Sequence, residues 1–83
     1  MILAELRAAA KVSQDGWLVS WTREGYIVSK GLTPEMRLEA ERSGKKRVRY
    51  FQTLDAAARV MAEDLGVHTY TVRGRTPGQQ EIF

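Results

Sequence analysis

Hydrophobic and polar positions follow two rhythms along this chain, and the change from one to the other divides it into elements. Ile2, Leu3, Leu6 and Ala10 recur near one face at helical spacing, and Ala8 to Ala10 add helix propensity, so a helix is predicted over 2–11. Ten residues are marginal for an isolated helix, which must therefore lean on the rest of the domain. From Trp17 to Trp21 the period becomes two, with Trp17, Val19 and Trp21 on one side and Leu18 and Ser20 on the other. Tyr26-Ile-Val-Ser-Lys30 resumes the strand-like pattern, and Glu24-Gly25 supplies a site for positive φ, predicting a hairpin over 17–30. Its indole face is the expected core face, because burying aromatic surface contributes ~25 cal/mol per Å².

Thr33-Pro34-Glu35 has the signature of a helix start, with a capping residue, a proline suited to the first position and an acid at the positive end of the dipole. A short exposed helix is predicted over 34–43, with Met36 and Ala40 as a thin apolar face and Gly44 as its stop; an ordered loop is the alternative. Arg47-Val-Arg-Tyr-Phe51 reads as a strand. Leu54, Ala57, Ala58, Met61 and Leu65 then form the stripe of a helix over 54–65, capped by Thr53 and stopped by Gly66. A last strand is predicted over 67–73. Beyond it Gly74-Arg75-Thr76-Pro77-Gly78 turns the chain, leaving 76–83 as a flexible tail, with a short edge strand or docking segment as alternatives for the final Glu81-Ile-Phe83.

These elements predict one small α+β domain over 1–83, with a mixed or antiparallel sheet, an N-terminal β-hairpin and helices packed mainly on one face. If the strands flanking the 54–65 helix are neighbours, the crossover makes them parallel. Period two would then turn Val48, Tyr50, Tyr70 and Val72 toward the helices and Arg47, Arg49, Thr69, Thr71 and Arg73 to the opposite surface. Phe51 shares the arginine parity and is expected where the chain bends into the helix.

The 83 residues are 43% hydrophobic, which suits a folded domain, but one this small removes only about 60% of its unfolded surface from water and has little room for a deep cavity. Cysteine is absent, excluding disulfides, thiol catalysis and thiolate metal sites and favouring a cytoplasmic location. Glu5 and the lack of a sustained apolar run make the N-terminus unlike a secretion signal or membrane span, so no membrane partner is expected. The net charge of +3 is unevenly spread. Residues 1–41 hold five basic and six acidic groups, whereas 42–83 hold eight basic and four acidic.

That surplus centres on Arg42-Ser-Gly-Lys-Lys-Arg-Val-Arg-Tyr50, with five cations and no acid in nine residues. Several hydrated cations that can approach a backbone are what phosphate binding needs, and guanidinium adds a rigid five-donor fork. Lys45, Lys46, Arg47, Arg49, Arg73 and Arg75 are the candidate nucleic-acid contacts; the competing reading is a solvated strand entrance that resists aggregation. Trp17, Trp21, Tyr26, Tyr50 and Tyr70 could stack on bases, yet their alternation with valines is explained more simply by a core. The single His68 has no cysteine or suitably spaced acid beside it, Asp55 is too far along its helix from Glu63 and Asp64 to pair, and the 74–78 turn lacks a nucleotide-binding Gly-Lys-Ser/Thr element. No catalytic, cofactor or metal site is therefore expected.

Tyr50-Phe-Gln-Thr-Leu-Asp-Ala-Ala-Ala-Arg-Val-Met-Ala-Glu-Asp-Leu-Gly66, followed by Thr69-Tyr-Thr-Val72, resembles small partition-associated proteins of plasmids and integrative elements over about a quarter of the chain. The shared pattern is a strand ending in an aromatic, a Thr-Leu-Asp-Ala-Ala helix start, Leu-Gly at the helix end and a following strand. The resemblance implies an accessory role near DNA segregation or transfer machinery and transfers no catalytic residue. Two functions are thus expected in competition: an accessory nucleic-acid-binding protein with DNA as partner, and a non-enzymatic protein-interaction or homodimeric assembly module.

Overall fold

The computed structural model describes residues 1–74. Its elements are helix α1 (Leu3–Val12), strands β1 (Trp17–Thr22) and β2 (Gly25–Lys30), a 3₁₀ turn (Pro34–Met36), strands β3 (Glu39–Arg42) and β4 (Lys45–Val48), helix α2 (Leu54–Arg59) continued by a π-helical segment (Val60–Leu65), and strand β5 (Thr71–Arg73). The architecture is α+β with two small sheets. One is mixed, in the order β2-β1-β5; the other is the two-stranded β3-β4 ribbon.

The β1–β2 hairpin forms where the period-two pattern placed it, pairing Trp17 with Lys30 through Thr22 with Gly25. Trp17, Val19, Tyr26 and Val28 point into the core beneath Leu6 and Ala10 of α1 and Ala57, Val60, Met61 and Leu65 of the second helix. The helices therefore pack on one sheet face. Trp17 is buried with its indole N–H donating to the Ser13 carbonyl at 3.1 Å, while Trp21 is half-buried against the same core. Thr53 caps α2, its hydroxyl accepting from the Ala56 N–H at 3.1 Å, and Gly66 ends the following segment at φ 71°.

Three expectations are corrected. First, residues 34–43 are not a helix: only Pro34–Met36 turns, Thr33 makes no side-chain cap, and Glu39–Arg42 is a strand. The stretch Met36-Arg-Leu-Glu-Ala40 alternates, and Leu38, fully buried, takes the inward position while its N–H donates to the Val28 carbonyl at 2.7 Å. Gly44 stops no helix; it shares a tight hairpin turn with Ser43, at φ 77° and 54°.

Second, the strand placed at 47–51 lies at 45–48 and ends before the aromatics, so the expected alternation does not run on to Tyr50 and Phe51. Phe51 is 7% exposed and belongs to the core, whereas Tyr50 is 43% exposed. Tyr26 and Phe51 exchange both backbone hydrogen bonds, at 2.7 and 2.8 Å, so the chain is drawn in at Phe51 before entering α2. Third, the last strand covers only 71–73. It is parallel to β1, with Leu18 opposite Thr71 and Ser20 opposite Arg73, rather than to the strand that precedes the helix. The tail placed at 76–83 lies outside the described residues.

Candidate nucleic-acid interface

The ribbon owes its shape to its turn and its anchors. Two successive positive-φ residues suit the twist of a two-residue hairpin loop, and the pairs Glu39–Val48, Ala40–Arg47, Glu41–Lys46 and Arg42–Lys45 follow from it. Every residue from 40 to 47 is exposed, so the ribbon is an arm outside the core. Its base is fixed on several sides. The Arg49 N–H donates to the Leu38 carbonyl at 3.0 Å, the Glu39 N–H to the Met1 carbonyl at 2.7 Å, and the Met1 ammonium to the Glu39 carboxylate at 2.6 Å.

Cross-strand pairing sorts the charges by face. Directly paired residues share a side, so Ala40, Arg42, Lys45 and Arg47 lie on one face, and Glu39, Glu41, Lys46 and Val48 on the other. By register the first face is cationic; a concavity beside it is lined by Ala40, Arg42, Lys45 and Arg47 together with Glu41 and Ser43. The second face is mixed in charge and, at its base, turns Glu39 toward the amino terminus. The hydrogen bond from the Met1 ammonium holds the Glu39 carboxyl below the usual carboxylate range against some desolvation, helped by the charges of that ammonium and of Lys46.

Among the described residues the Met1–Glu39 pair is the only salt bridge, so no carboxylate there lies within 4.0 Å of the cations of Arg42, Lys45, Lys46, Arg47, Arg49 or Arg73. Arg49, just past β4, stacks its guanidinium over Phe51 at 4.8 Å from the ring centre. Arg73 is exposed on β5, hydrogen-bonded beside β1, whereas the segments at Arg37–Leu38 and Phe51 lean on the far edge of β2. Three strand spacings of about 4.8 Å, roughly 14 Å, thus separate Arg73's strand from the base of the arm. The structure brings Lys45, Lys46 and Arg47 together on the arm, with Arg49 at its root; it sets Arg73 apart, lining a groove with Arg37, Ser20, Ile27 and Ser29 on the sheet face opposite the helices. Arg75 lies outside the described residues.

Arg42 joins the cationic face without having been a candidate. Its signal was Ser43-Gly44, which reads as a hairpin turn once the preceding residues are taken as a strand. His68 is exposed ahead of β5, and among the described residues no three His, Asp or Glu side chains gather closely enough to hold a metal. No helix among them is long and apolar enough to cross a membrane. No family model, curated protein or solved structure matches this chain.

Proposed function

We propose that this chain is an accessory nucleic-acid-binding protein whose contact surface is the β3–β4 arm. The observation that carries the reading is the set Arg42, Lys45, Lys46 and Arg47, exposed on one short ribbon and free of carboxylates within 4.0 Å among the described residues. Cations held this way keep their charge available to a polyanion, and binding gains from the counterions released. The resemblance of residues 50–66 and 69–72 to partition-associated proteins supports a role in plasmid or mobile-element maintenance, which entails a cytoplasmic location with access to DNA.

Fluorescence anisotropy of short labelled DNA across a salt series tests this directly. Each phosphate neutralised on duplex DNA adds about −0.9 to the slope of log K against log salt, so K drops about 12-fold between 50 and 200 mM for two phosphates and about 150-fold for four. Replacing all four cations with Ala weakens binding and flattens the slope. No salt-sensitive binding of the intact protein to single- or double-stranded DNA would falsify the proposal.

A second reading, a protein-interaction or homodimeric module, draws on Leu32, 69% exposed beside the Arg37–Arg73 groove, and on the outer edge of β5, unpaired among the described residues. The β4 edge is less suited to pairing with another copy, because Lys45, Lys46 and Arg47 would repel their counterparts. Sedimentation velocity over a hundredfold range of concentration discriminates: a constant monomer excludes the dimeric form of this reading.

A further inference from the structure

We infer that the β3–β4 arm enters the major groove of B-form DNA, with the Ala40, Arg42, Lys45 and Arg47 face toward the base edges. This rests on the nucleic-acid reading above and specifies its ligand as duplex DNA.

Two strands about 4.8 Å apart, each flanked by side chains, make a ribbon comparable in breadth to the major groove, about 12 Å wide and 8.5 Å deep, which admits a two-stranded β-ribbon. Four residues per strand at about 3.3 Å each give an arm about 13 Å long, enough to span roughly four base pairs. The tip is Ser43-Gly44, whose small side chains put no bulk at the leading end. Residues 40–47 are all exposed, so insertion displaces nothing from the core.

Chemistry is sorted between the two faces of the ribbon. Arg42, Lys45 and Arg47 present only donors, which match the N7 and O6 acceptors of guanine, and the Ala40 methyl suits the methyl of thymine. Glu39 and Glu41, which would repel phosphates, project from the other face. Lys46 on that face and Arg49 at the root are left for the sugar-phosphate walls, where contacts position the protein without reading sequence.

The composition and breadth of the arm favour duplex DNA over other nucleic acids. Residues 39–48 include no aromatic side chain, so the arm offers no stacking platform for unpaired bases. The major groove of A-form RNA is too deep and narrow for side chains to read, and the minor groove of B-DNA, about 6 Å wide, is too narrow for the ribbon.

The test is competition for a labelled DNA duplex by unlabelled duplex DNA, single-stranded DNA and duplex RNA of the same length. Parallel titrations use duplex whose major groove is filled by glucosylated hydroxymethylcytosine, and duplex whose minor groove is occupied by netropsin. The expected result is that duplex DNA competes at least about tenfold better than the other two, that glucosylation abolishes binding and that netropsin leaves it unchanged. R42A and R47A each weaken duplex binding about tenfold, and R42K, which keeps the charge but not the fork, retains the salt slope while losing most of any preference among sequences. Both positions are exposed, and circular dichroism and melting curves matching the parent protein show that the variants fold. Salt-sensitive binding with equal affinity for single strands or duplex RNA, or displacement by netropsin, overturns this inference and leaves the broader proposal standing. Absence of binding to every probe overturns both.

Discussion

Replacing Gly25 with Ala tests how the β1–β2 hairpin receives the chain at Phe51. Gly25 has φ 143°, in a region essentially reserved for glycine, and a β-carbon there would stand 2.7 Å from the Phe51 carbonyl oxygen and 3.3 Å from its carbonyl carbon. Those obstructing atoms are backbone, so no rotamer change relieves the contact. The substitution costs about 1–3 kcal/mol in backbone strain. Pushing Phe51 away removes its two hydrogen bonds with Tyr26, each contributing about 1 kcal/mol. The expected loss is about 3–5 kcal/mol, against a total stability of about 4–12 kcal/mol for a chain of this size. Gly66 provides the control. It also has positive φ, 71°, but an added β-carbon meets nothing within 4 Å, so G66A should cost only about 1–2 kcal/mol. Urea unfolding of the three proteins reads the difference, and in thermal melts each kcal/mol corresponds to a fall of about 4–8 °C. If G25A is no less stable than G66A, the close approach of Phe51 to the hairpin is wrong.

The Thr53 cap should contribute about 1 kcal/mol, lost in T53A and largely kept in T53S, as measured by urea midpoints at unchanged m. Glu39 gives the arm an acid-sensitive root. Because its folded pKa is depressed, its contribution is fully present above the ordinary unfolded value of about 4.3 and is lost as pH falls through the lower folded value. Amide chemical shifts of residues 39–48 should therefore move together at acid pH in the parent protein but not in E39Q; identical titrations would remove the Met1–Glu39 pair from the account.

Where local pattern and tertiary demand agreed, the sequence was sufficient. Trp17, Val19 and Trp21 announced β1, and Thr53, Leu54, Ala57, Met61 and Leu65 announced the second helix, because caps, period and burial pointed the same way. Residues 34–43 misled because Thr33-Pro34-Glu35 is a genuine helix-start signal, used here for a single 3₁₀ turn. Long-range pairing then took over: Leu38 reaches β2, and Glu39–Arg42 has β4 to pair with. Phe51 was ambiguous because parity is counted from a strand's end, and β4 ends three residues before it. For the interface, charge density was legible but its division was not. Which cations share a face depends on register, and the register of 39–42 against 45–48 becomes visible only once Ser43-Gly44 is recognised as a hairpin turn. Arg73 shows the same limit, since its remoteness from the arm follows from β5 choosing β1 as its neighbour.

An arm with eight consecutive solvent-facing residues, held among the described residues only at its root, separates two kinds of selection. Interior side chains are constrained by one another's volume, but positions 40–47 answer to no such jigsaw and can change one at a time while the body keeps its form. A lineage carrying this design could retarget what it touches through surface drift alone, and a laboratory could do the same by randomising the ribbon on a constant scaffold.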